Sequence, residues 1–304
     1  MTIGISTYNR GTGYLPQALR SAVDQTYSDL EIVVSDNCST DDTGAVVAGF
    51  GDPRIRYFRQ AANIGANNNF NFCLAQAQGS YFLLLHDDDL VDPDFVEACI
   101  DAVKGDTTVG VIRTGTRTID ADGGVRGQSF NRAAGLSTAD FFLAWFSGET
   151  ALYLCSTLYN ARRLRDIGGF QSPANLLQDV VATARLAAEL GRADVHDVKA
   201  SFRRHETNRG SAARIRDWCE DSLFLLDLMC RLAPEREALI RREGLRFLCN
   251  RNYKRVSRAA SGRLAAYLAV YRAFGYRHSP LTFLLSRRLA AARRRLGKPR
   301  AVPS

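Results

Sequence analysis

The feature that most constrains this chain is an apolar segment, Tyr81–Leu85, that runs directly into His86, Asp87, Asp88 and Asp89. The run YFLLL is typical of a strand that is buried on both faces of a sheet. Three adjacent carboxylates repel one another, so their position at the end of a buried strand is costly without a cation. The segment therefore predicts a site for Mg²⁺ or Mn²⁺, and a solvated acidic turn that caps the next helix is the alternative.

Strands and helices alternate through the first hundred residues. Amphipathic or capped segments predict a helix after each of four apolar or β-branched strands, at 3–6, 30–35, 55–59 and 81–85. This alternation favours a parallel α/β sheet. Ligands of such sheets lie beyond the carboxyl ends of the strands, where this chain carries Thr7–Arg10, Asp36–Asn37 and the acidic cluster.

Composition excludes several classes of protein. Hydrophobic residues make up 46% of the 304 residues and charged residues 24%, which excludes a disordered chain and a disulfide-rich miniprotein. No apolar stretch is long enough to span a membrane, and the first ten residues lack a signal-peptide pattern, so we expect a chain that is not exported. The seven cysteines form no CxxC pair, which predicts reduced, buried thiols rather than a zinc site or a disulfide framework.

Charge is distributed unevenly along the chain. Residues 231–304 carry a net charge of +16 and residues 1–230 a net charge of −8. Within the basic part, Leu264, Tyr267, Leu268 and Tyr271 form an apolar stripe at helical spacing, flanked by arginines. Two interpretations stay open: the stripe packs on the rest of the protein, or it contacts an anionic membrane surface. No nucleic-acid-binding signature is present, so we expect no nucleic-acid partner.

A series of motifs, taken in order, resembles the family 2 glycosyltransferases. The motifs are IGISTYNR at 3–10, LEIVVSDNCSTDDT at 30–43, NIGANNNFN at 63–71, YFLLLHDDDLVDP at 81–93, IGGF at 167–170, LQD at 177–179, and FRRH at 202–205 before Asn208. The resemblance covers about two-thirds of the chain, from residue 1 to about residue 210.

The resemblance implies a GT-A fold, which is a Rossmann-like α/β fold with a mixed, mostly parallel sheet flanked by helices. We expect a helical C-terminal extension because the sequence after Ser211 is helical in pattern. The expected parts are a half that binds the nucleotide sugar, 1–112, a half that binds the acceptor and carries the base, 113–210, and a basic helical region, 211–304.

The implied activity is an inverting, metal-dependent transfer of a sugar from a nucleotide-diphosphate sugar to a hydroxyl of a glycan or lipid-linked acceptor. Such a reaction belongs to the synthesis of polysaccharides or cell-surface glycans. UDP and dTDP are the expected nucleotides of the donor. The expected location is cytoplasmic, with peripheral contact at the inner face of the cell membrane as a hypothesis.

The resemblance assigns roles by position to individual residues of this chain. It implies that the nucleoside pocket is lined by Thr7, Tyr8, Asp36 and Asn63, that Arg10 reaches the diphosphate, and that Arg204 and His205 form a basic pair near it. An Asx turn at Asp36 and a surface position for His205 are the ordinary alternatives.

The same resemblance assigns the metal and the catalytic base. Asp88 is the implied metal ligand with Asp89 in support, while Asp87 lies near the ribose. His86 stands where the family usually has an acid. Asp179 is the implied general base, which would take a proton from the acceptor hydroxyl. It follows a glutamine, Gln178, where the family has a glutamate, and a solvent-facing helix charge is the alternative for Asp179.

Other classes of protein fit the sequence less well. A nucleotidyltransferase usually has a glycine-rich basic loop after its first strand, and Ser6–Gly13 contains one arginine and two glycines. A dehydrogenase would need a GxGxxG motif there. A protein that binds a nucleotide sugar or a glycan without turnover stays open, because His86 and Gln178 depart from the family pattern.

Overall fold

The computed structural model describes residues 1–205, 213–259 and 261–296, and their side chains as far as residue 289. Asn208, the last position of the sequence resemblance, lies outside the described residues. No helix within these ranges is both long and apolar enough to cross a membrane.

Strands and helices alternate in the first half of the chain, as the sequence predicts. The strands are β1 (Thr2–Thr7), β2 (Glu31–Asp36), β3 (Ile55–Arg59), β4 (Tyr81–His86) and the short β5 (Leu90–Val91). The helices are α1 (Leu15–Val23), α2 (Thr43–Ala48), α3 (Ala66–Gln76) and α4 (Phe95–Val103).

The second half completes the sheet and then becomes helical. Its strands are β6 (Val111–Ile119), β7 (Val125–Ser129), β8 (Thr157–Asn160) and β9 (Arg192–Arg203). Its helices are α5 (Thr138–Ser147), α6 (Ala161–Asp166), α7 (Gln178–Leu190), α8 (Ile215–Leu232), α9 (Glu237–Val256), α10 (Arg263–Ala273) and α11 (Pro280–Leu296).

One mixed sheet unites these strands in the order β3-β2-β1-β4-β8-β6-β9-β5, with β7 pairing on β6. The first four strands are parallel, β8 is antiparallel to both of its neighbours, and β6 and β9 are parallel. The expected mixed, mostly parallel sheet is confirmed. The boundary expected at residue 112 lies within β6, so the division into two halves stays a prediction.

The central strand β4 shows why the sheet is buried on both faces. Successive side chains of a strand point to opposite faces. Phe82 and Leu84 therefore pack into one hydrophobic cluster, while Leu83 and Leu85 pack into the other, and all four are fully buried. The chain leaves the core only after Leu85, so the acidic cluster lies at the carboxyl end of β4.

The helices of the C-terminal region share a core with the sheet rather than forming a separate tail. Residues of α8, α9 and α10 are buried in the same cluster as Phe82 of β4 and Val181 of α7. Tyr267 of the apolar stripe is buried, whereas Leu264 and Leu268 stay 77% and 54% exposed. The stripe thus packs on the protein through part of its length and presents its leucines to solvent.

The largest departure from the sequence prediction is β9, a twelve-residue strand for which no element was expected. Its pairing with β6 contains register shifts, and only three of its residues are buried. A short 3₁₀ turn, Leu154–Ser156, precedes β8, and α7 begins at Gln178. Irregular burial along β9 leaves no clean period-two pattern to detect.

Candidate active site

A cavity of about 460 Å³ opens at the carboxyl ends of β1 and β4, where the topology of the sheet predicts a ligand site. The start of α7 and residues of α8 and α9 also line it. Its volume lies in the range of about 300–1,000 Å³ that small-molecule sites occupy. Its polar lining residues include Thr7, Tyr8, Arg10, Asn37, His86, Asp87, Asp88, Gln178, Asp179, Arg251 and Arg255.

Two loops, one after β1 and one after β2, are joined by hydrogen bonds from backbone amides to side chains. The amide of Asn9 donates to the hydroxyl of Ser39 at 2.9 Å, and the amide of Gly11 donates to a carboxylate oxygen of Asp41 at 3.0 Å. A Cβ atom on Gly11 would lie 2.7 Å from the backbone nitrogen of Thr43, so only glycine permits this close approach. The joined loops hold Tyr8, which is 45% exposed, at the rim of the cavity.

Asp36, the expected nucleotide-binding aspartate, is buried and fully engaged by the protein. One carboxylate oxygen accepts the amide of Ser39 at 2.8 Å, and the other accepts the hydroxyl of Tyr57 at 2.6 Å. Its neighbour Asn37 lines the cavity and donates its side-chain amide to Asn63 Oδ1 at 2.9 Å. Asp36 and Asn63 therefore shape the loop that presents Asn37, and neither lines the cavity directly.

The end of β4 brings three potential metal ligands together. Ligand atoms of His86, Asp88 and Asp89 all lie within 4.8 Å of one another. The His86 ring stacks on Phe70, with ring centroids 5.2 Å apart. Asp89 is buried and accepts the amide of Arg203 at 2.8 Å. One imidazole and two carboxylates form a donor set that suits a divalent cation such as Mn²⁺.

Strand β9 fixes the acidic cluster from the opposite side. The buried Arg203 donates to the carbonyl of Asp88 at 2.8 Å and to Gln17 Oε1 at 2.8 Å. Two residues on, His205 Nε2 lies 2.6 Å from Asp88 Oδ2, with its ring 5.1 Å from that of Tyr14. His205 thus contacts the carboxylate that the sequence assigns to the metal.

Burial sets the electrostatics of the two acids beside Asp88. Burial and the charge of Asp88 raise the pKa of Asp87 to about 6. The same two causes raise the pKa of Asp89 well above its ordinary value. Ionising several neighbouring carboxyls in a buried position is unfavourable, and a bound cation would stabilise their ionised forms.

Asp179 lines the same cavity from the first turn of α7, near enough to His86 for their charges to interact. Burial raises the pKa of Asp179, and the charges of His86 and Arg251 act against that rise. The loop before α7 is held by Asp221 of α8, which accepts the amides of Ala174, Leu176 and Leu177 at 2.7–3.0 Å. Asp221 therefore positions the turn that carries Asp179.

Two buried polar atoms that belong to cavity residues have no hydrogen-bond partner in the described part of the chain. They are His86 Nε2 and Gln178 Oε1. Buried polar groups are nearly always satisfied, so a cluster of exceptions within one cavity indicates a site built for a ligand. The free nitrogen of His86 also fits the metal assignment.

The structure brings together six of the residues that the sequence selected: Thr7, Tyr8, Arg10, Asp87, Asp88 and Asp179 line one cavity. Asp89 and His205 act at its border through the acidic cluster, while Arg204 is exposed and outside the lining. Asn37, which the sequence selected with Asp36 as a strand-end cluster, also lines the cavity. Sequence reasoning missed Asp221, Arg251 and Arg255. Arg251 and Arg255 recur at helical spacing but were hidden among many other basic residues.

Comparison with known proteins now identifies the class. Residues 2–166 match the family described as Glycosyl transferase family 2, which is more than half of the chain. The chain belongs to this glycosyltransferase family, as the resemblance implied.

One curated relative is a GalNAc(5)-diNAcBac-PP-undecaprenol beta-1,3-glucosyltransferase from Campylobacter jejuni. It is 32% identical over 171 residues, which are 53% of this chain and 54% of that protein. The chain spans about half or less of the length of the first curated relatives that it matches.

Solved structures share the fold at low sequence identity. Staphylococcus aureus TarS 1–349, in complex with UDP-GlcNAc, superposes with a TM-score of 0.70 at 18% identity over 90% of this chain and 80% of that one. A Pyrobaculum calidifontis mannosyltransferase, in complex with GDP-Man and Mn²⁺, gives a TM-score of 0.57 at 20% identity over 96% and 79%. The expected GT-A-type architecture is confirmed.

Proposed function

We propose that this protein is an inverting glycosyltransferase that moves a sugar from a nucleotide-diphosphate sugar to a hydroxyl of a glycan or lipid-linked acceptor, in polysaccharide or cell-surface glycan synthesis. The observation that carries the proposal is a cavity lined both by His86 and Asp88 of the metal-ligand group and by the half-buried carboxylate of Asp179. Family membership and the printed activity of the Campylobacter jejuni relative support it.

His86, Asp88 and Asp89 would hold the divalent cation. Such a cation stabilises the negative charge that develops on the departing diphosphate. Mg²⁺ takes oxygen ligands almost exclusively, whereas an imidazole nitrogen in the set favours a transition metal such as Mn²⁺. The mannosyltransferase neighbour, whose structure contains Mn²⁺, supports this choice.

The nucleotide would lie against the ends of β1 and β2. The exposed ring of Tyr8 is available to stack on the base, and Asn37 offers an amide toward the cavity. Arg10, whose charge reaches Asp87, would pair with the diphosphate. We assign Asp36 and Asn63 to holding this pocket in shape, and His205 to the acidic cluster. Arg204, which is exposed, would steer the anionic donor.

Asp179 would perform the proton transfer. As the acceptor oxygen bonds to the anomeric carbon, the bond from that carbon to the diphosphate breaks, and the diphosphate leaves with the electron pair. The acceptor proton passes to the Asp179 carboxylate. Attack from the face opposite the leaving group inverts the anomeric centre, through an oxocarbenium-like transition state.

The same proposal includes peripheral contact with an anionic membrane through α10 and α11. Leu264, Leu268, Leu281 and Leu285 are each more than half exposed, with exposed Arg272 and Arg287 on the same two helices. Exposed leucines beside arginines are typical of helices that lie at a membrane interface. A lipid-linked acceptor would place the reaction at that surface.

Donor hydrolysis by the purified protein tests the transferase directly. UDP-, dTDP- and GDP-sugars are incubated with Mn²⁺, with EDTA, and with an Asp88→Ala variant. We expect slow hydrolysis of one donor class that needs both the metal and Asp88. If no donor is hydrolysed, binding of the same nucleotides is measured by calorimetry. Metal-dependent binding without turnover would show that the protein does not hydrolyse the donor when no acceptor is present. No binding would overturn the nucleotide site.

A further inference from the structure

Two arginines of α9 reach the active-site cavity from outside the part of the chain that matches the family. Arg251 and Arg255 are four residues apart, lie on one face of the helix, and line the same cavity as Asp179. The family match ends at residue 166, so it assigns neither of them a role.

Aromatic rings hold the planes of both guanidinium groups. The centre of the Arg255 guanidinium lies 3.6 Å from the centroid of the Trp218 ring, and that of Arg251 lies 5.5 Å from the centroid of Trp145 and 5.4 Å from that of Phe247. Stacking fixes the orientation of a guanidinium and leaves its N–H edges available as donors.

Those edges lack an anionic partner in the described part of the chain. Neither arginine forms an ion pair there, Arg255 donates only a long hydrogen bond of 3.4 Å to Asn252 Oδ1, and Arg251 donates none. Burial lowers the pKa of Arg251, and burial together with the charge of Arg251 lowers the pKa of Arg255 to about 9. Keeping two partly buried guanidinium groups charged and unpaired costs free energy, and a bound anion would offset that cost.

Arg251 lies near the proposed base. Its charge interacts with that of Asp179, whose charge also interacts with that of His86. The cation and diphosphate would occupy the His86 side, and Asp179 must stay free to take a proton. An acceptor bound beside Asp179 would bring its own anion to Arg251 and Arg255.

We propose that Arg251 and Arg255 form an anion subsite that selects an acceptor carrying a phosphate or a carboxylate close to the hydroxyl that receives the sugar. Guanidinium groups bind both anions through paired, charge-assisted hydrogen bonds. The subsite rests on the proposed function, because it defines the acceptor of that reaction. Neutral glycans would be poor acceptors.

Anion binding to the full-length protein tests the subsite. With saturating UDP and Mn²⁺ blocking the donor end, inorganic phosphate and glucuronate are titrated separately by calorimetry. We expect saturable binding of at least one of them, and the tighter probe identifies the anion. Arg251→Gln and Arg255→Gln should each weaken that binding about tenfold or more. Lys254→Gln, an exposed change on the same helix, should leave it unchanged.

Three further readouts separate the outcomes. UDP affinity is measured first: if UDP with Mn²⁺ does not bind, the proposed function and the subsite fail together. If UDP binds but neither anion does, or if the arginine variants bind it as wild type does, the subsite alone is overturned. Arg255→Lys, which keeps the charge and the stem, should retain more anion affinity than Arg255→Gln. Circular dichroism confirms that each variant is folded.

Discussion

At the scale of single residues, Asp179 makes the sharpest prediction about the reaction. Burial raises its pKa above the ordinary value of 3.8, and the base must be ionised to accept a proton. Activity is therefore present above that raised pKa and is lost as the pH falls through it. The acid limb of kcat/KM should lie above pH 3.8, and Asp179→Asn should lower kcat by about 10²–10⁴-fold.

A matched change on the same helix serves as the control. Glu189 is partly exposed near the end of α7, in a surface pair with Arg185, so Glu189→Gln should leave kcat and the pH profile unchanged. An Asp179→Asn variant with wild-type kcat would show that another group takes the proton.

His86 offers a second test at this scale, because it stands where the family usually has an acid. An imidazole ligand favours Mn²⁺ over Mg²⁺, and His86→Asp would restore an all-oxygen set. We expect the ratio of apparent Mg²⁺ to Mn²⁺ affinity, measured by titration against donor hydrolysis, to rise about tenfold or more. An unchanged ratio would remove His86 from the metal site.

Residue types at strand ends could be read from the sequence, but their contacts could not. The family resemblance selected Asp88, Asp179 and Arg10, and all three line the cavity. Asp36 was selected by the same reasoning, yet its oxygens are taken by Ser39 and Tyr57. Tyr57 lies on a different strand, and only the register between β2 and β3 brings it to Asp36.

At the scale of elements, the close approach of the β1–α1 and β2–α2 loops depends on Gly11. Gly11→Ala would place a Cβ 2.7 Å from the Thr43 nitrogen and 2.9 Å from the Asp42 carbonyl carbon, both backbone atoms that cannot move independently. We expect a loss of about 1–3 kcal/mol in the free energy of unfolding and weaker UDP binding. Gly13→Ala, whose nearest atom would lie at 3.5 Å, should change neither by much.

The turn before α7 gives a second prediction at this scale, because the Asp221 carboxylate accepts three of its backbone amides. Asp221→Ala would leave three largely buried amides without an acceptor, each costing about 1–3 kcal/mol. The free energy of unfolding in urea should fall by about 3 kcal/mol or more, and kcat should fall because Asp179 loses its position. Glu220→Gln, an exposed neighbour, should have little effect, and equal stabilities of the two variants would contradict the assignment.

Elements with a regular pattern were predictable, and β9 was not. Strand β4 has five buried apolar residues in succession, whereas β9 reads RADVHDVKASFR and mixes charged with apolar residues. Its place beside β6 comes from long-range pairing, which local patterns do not encode. The missed strand matters for the site, because β9 places Arg203 against the acidic cluster.

At the scale of the whole molecule, the sequence predicted the family and its sheet but not how the C-terminal region joins it. A helical, basic region was expected after residue 211. The packing of α8 against α7, and of α9 against α8 and α5, brings Trp218, Arg251 and Arg255 into the cavity. Such contacts between segments far apart in sequence depend on the complete core, so this part of the cavity could not be derived from local motifs.

The exposed leucines of α10 and α11 support a final prediction about the whole molecule. The intact protein should sediment with vesicles that contain an anionic phospholipid, and less with neutral vesicles, because arginines near the surface contribute about 1 kcal/mol each. Salt should weaken binding by screening these charges.

Replacing both Leu281 and Leu285 by serine should reduce the bound fraction about tenfold or more, because each replacement removes apolar area that the membrane would bury. Val125→Ser, at an equally exposed apolar residue on β7, should bind as wild type does. Equal binding by both variants would place the contact elsewhere.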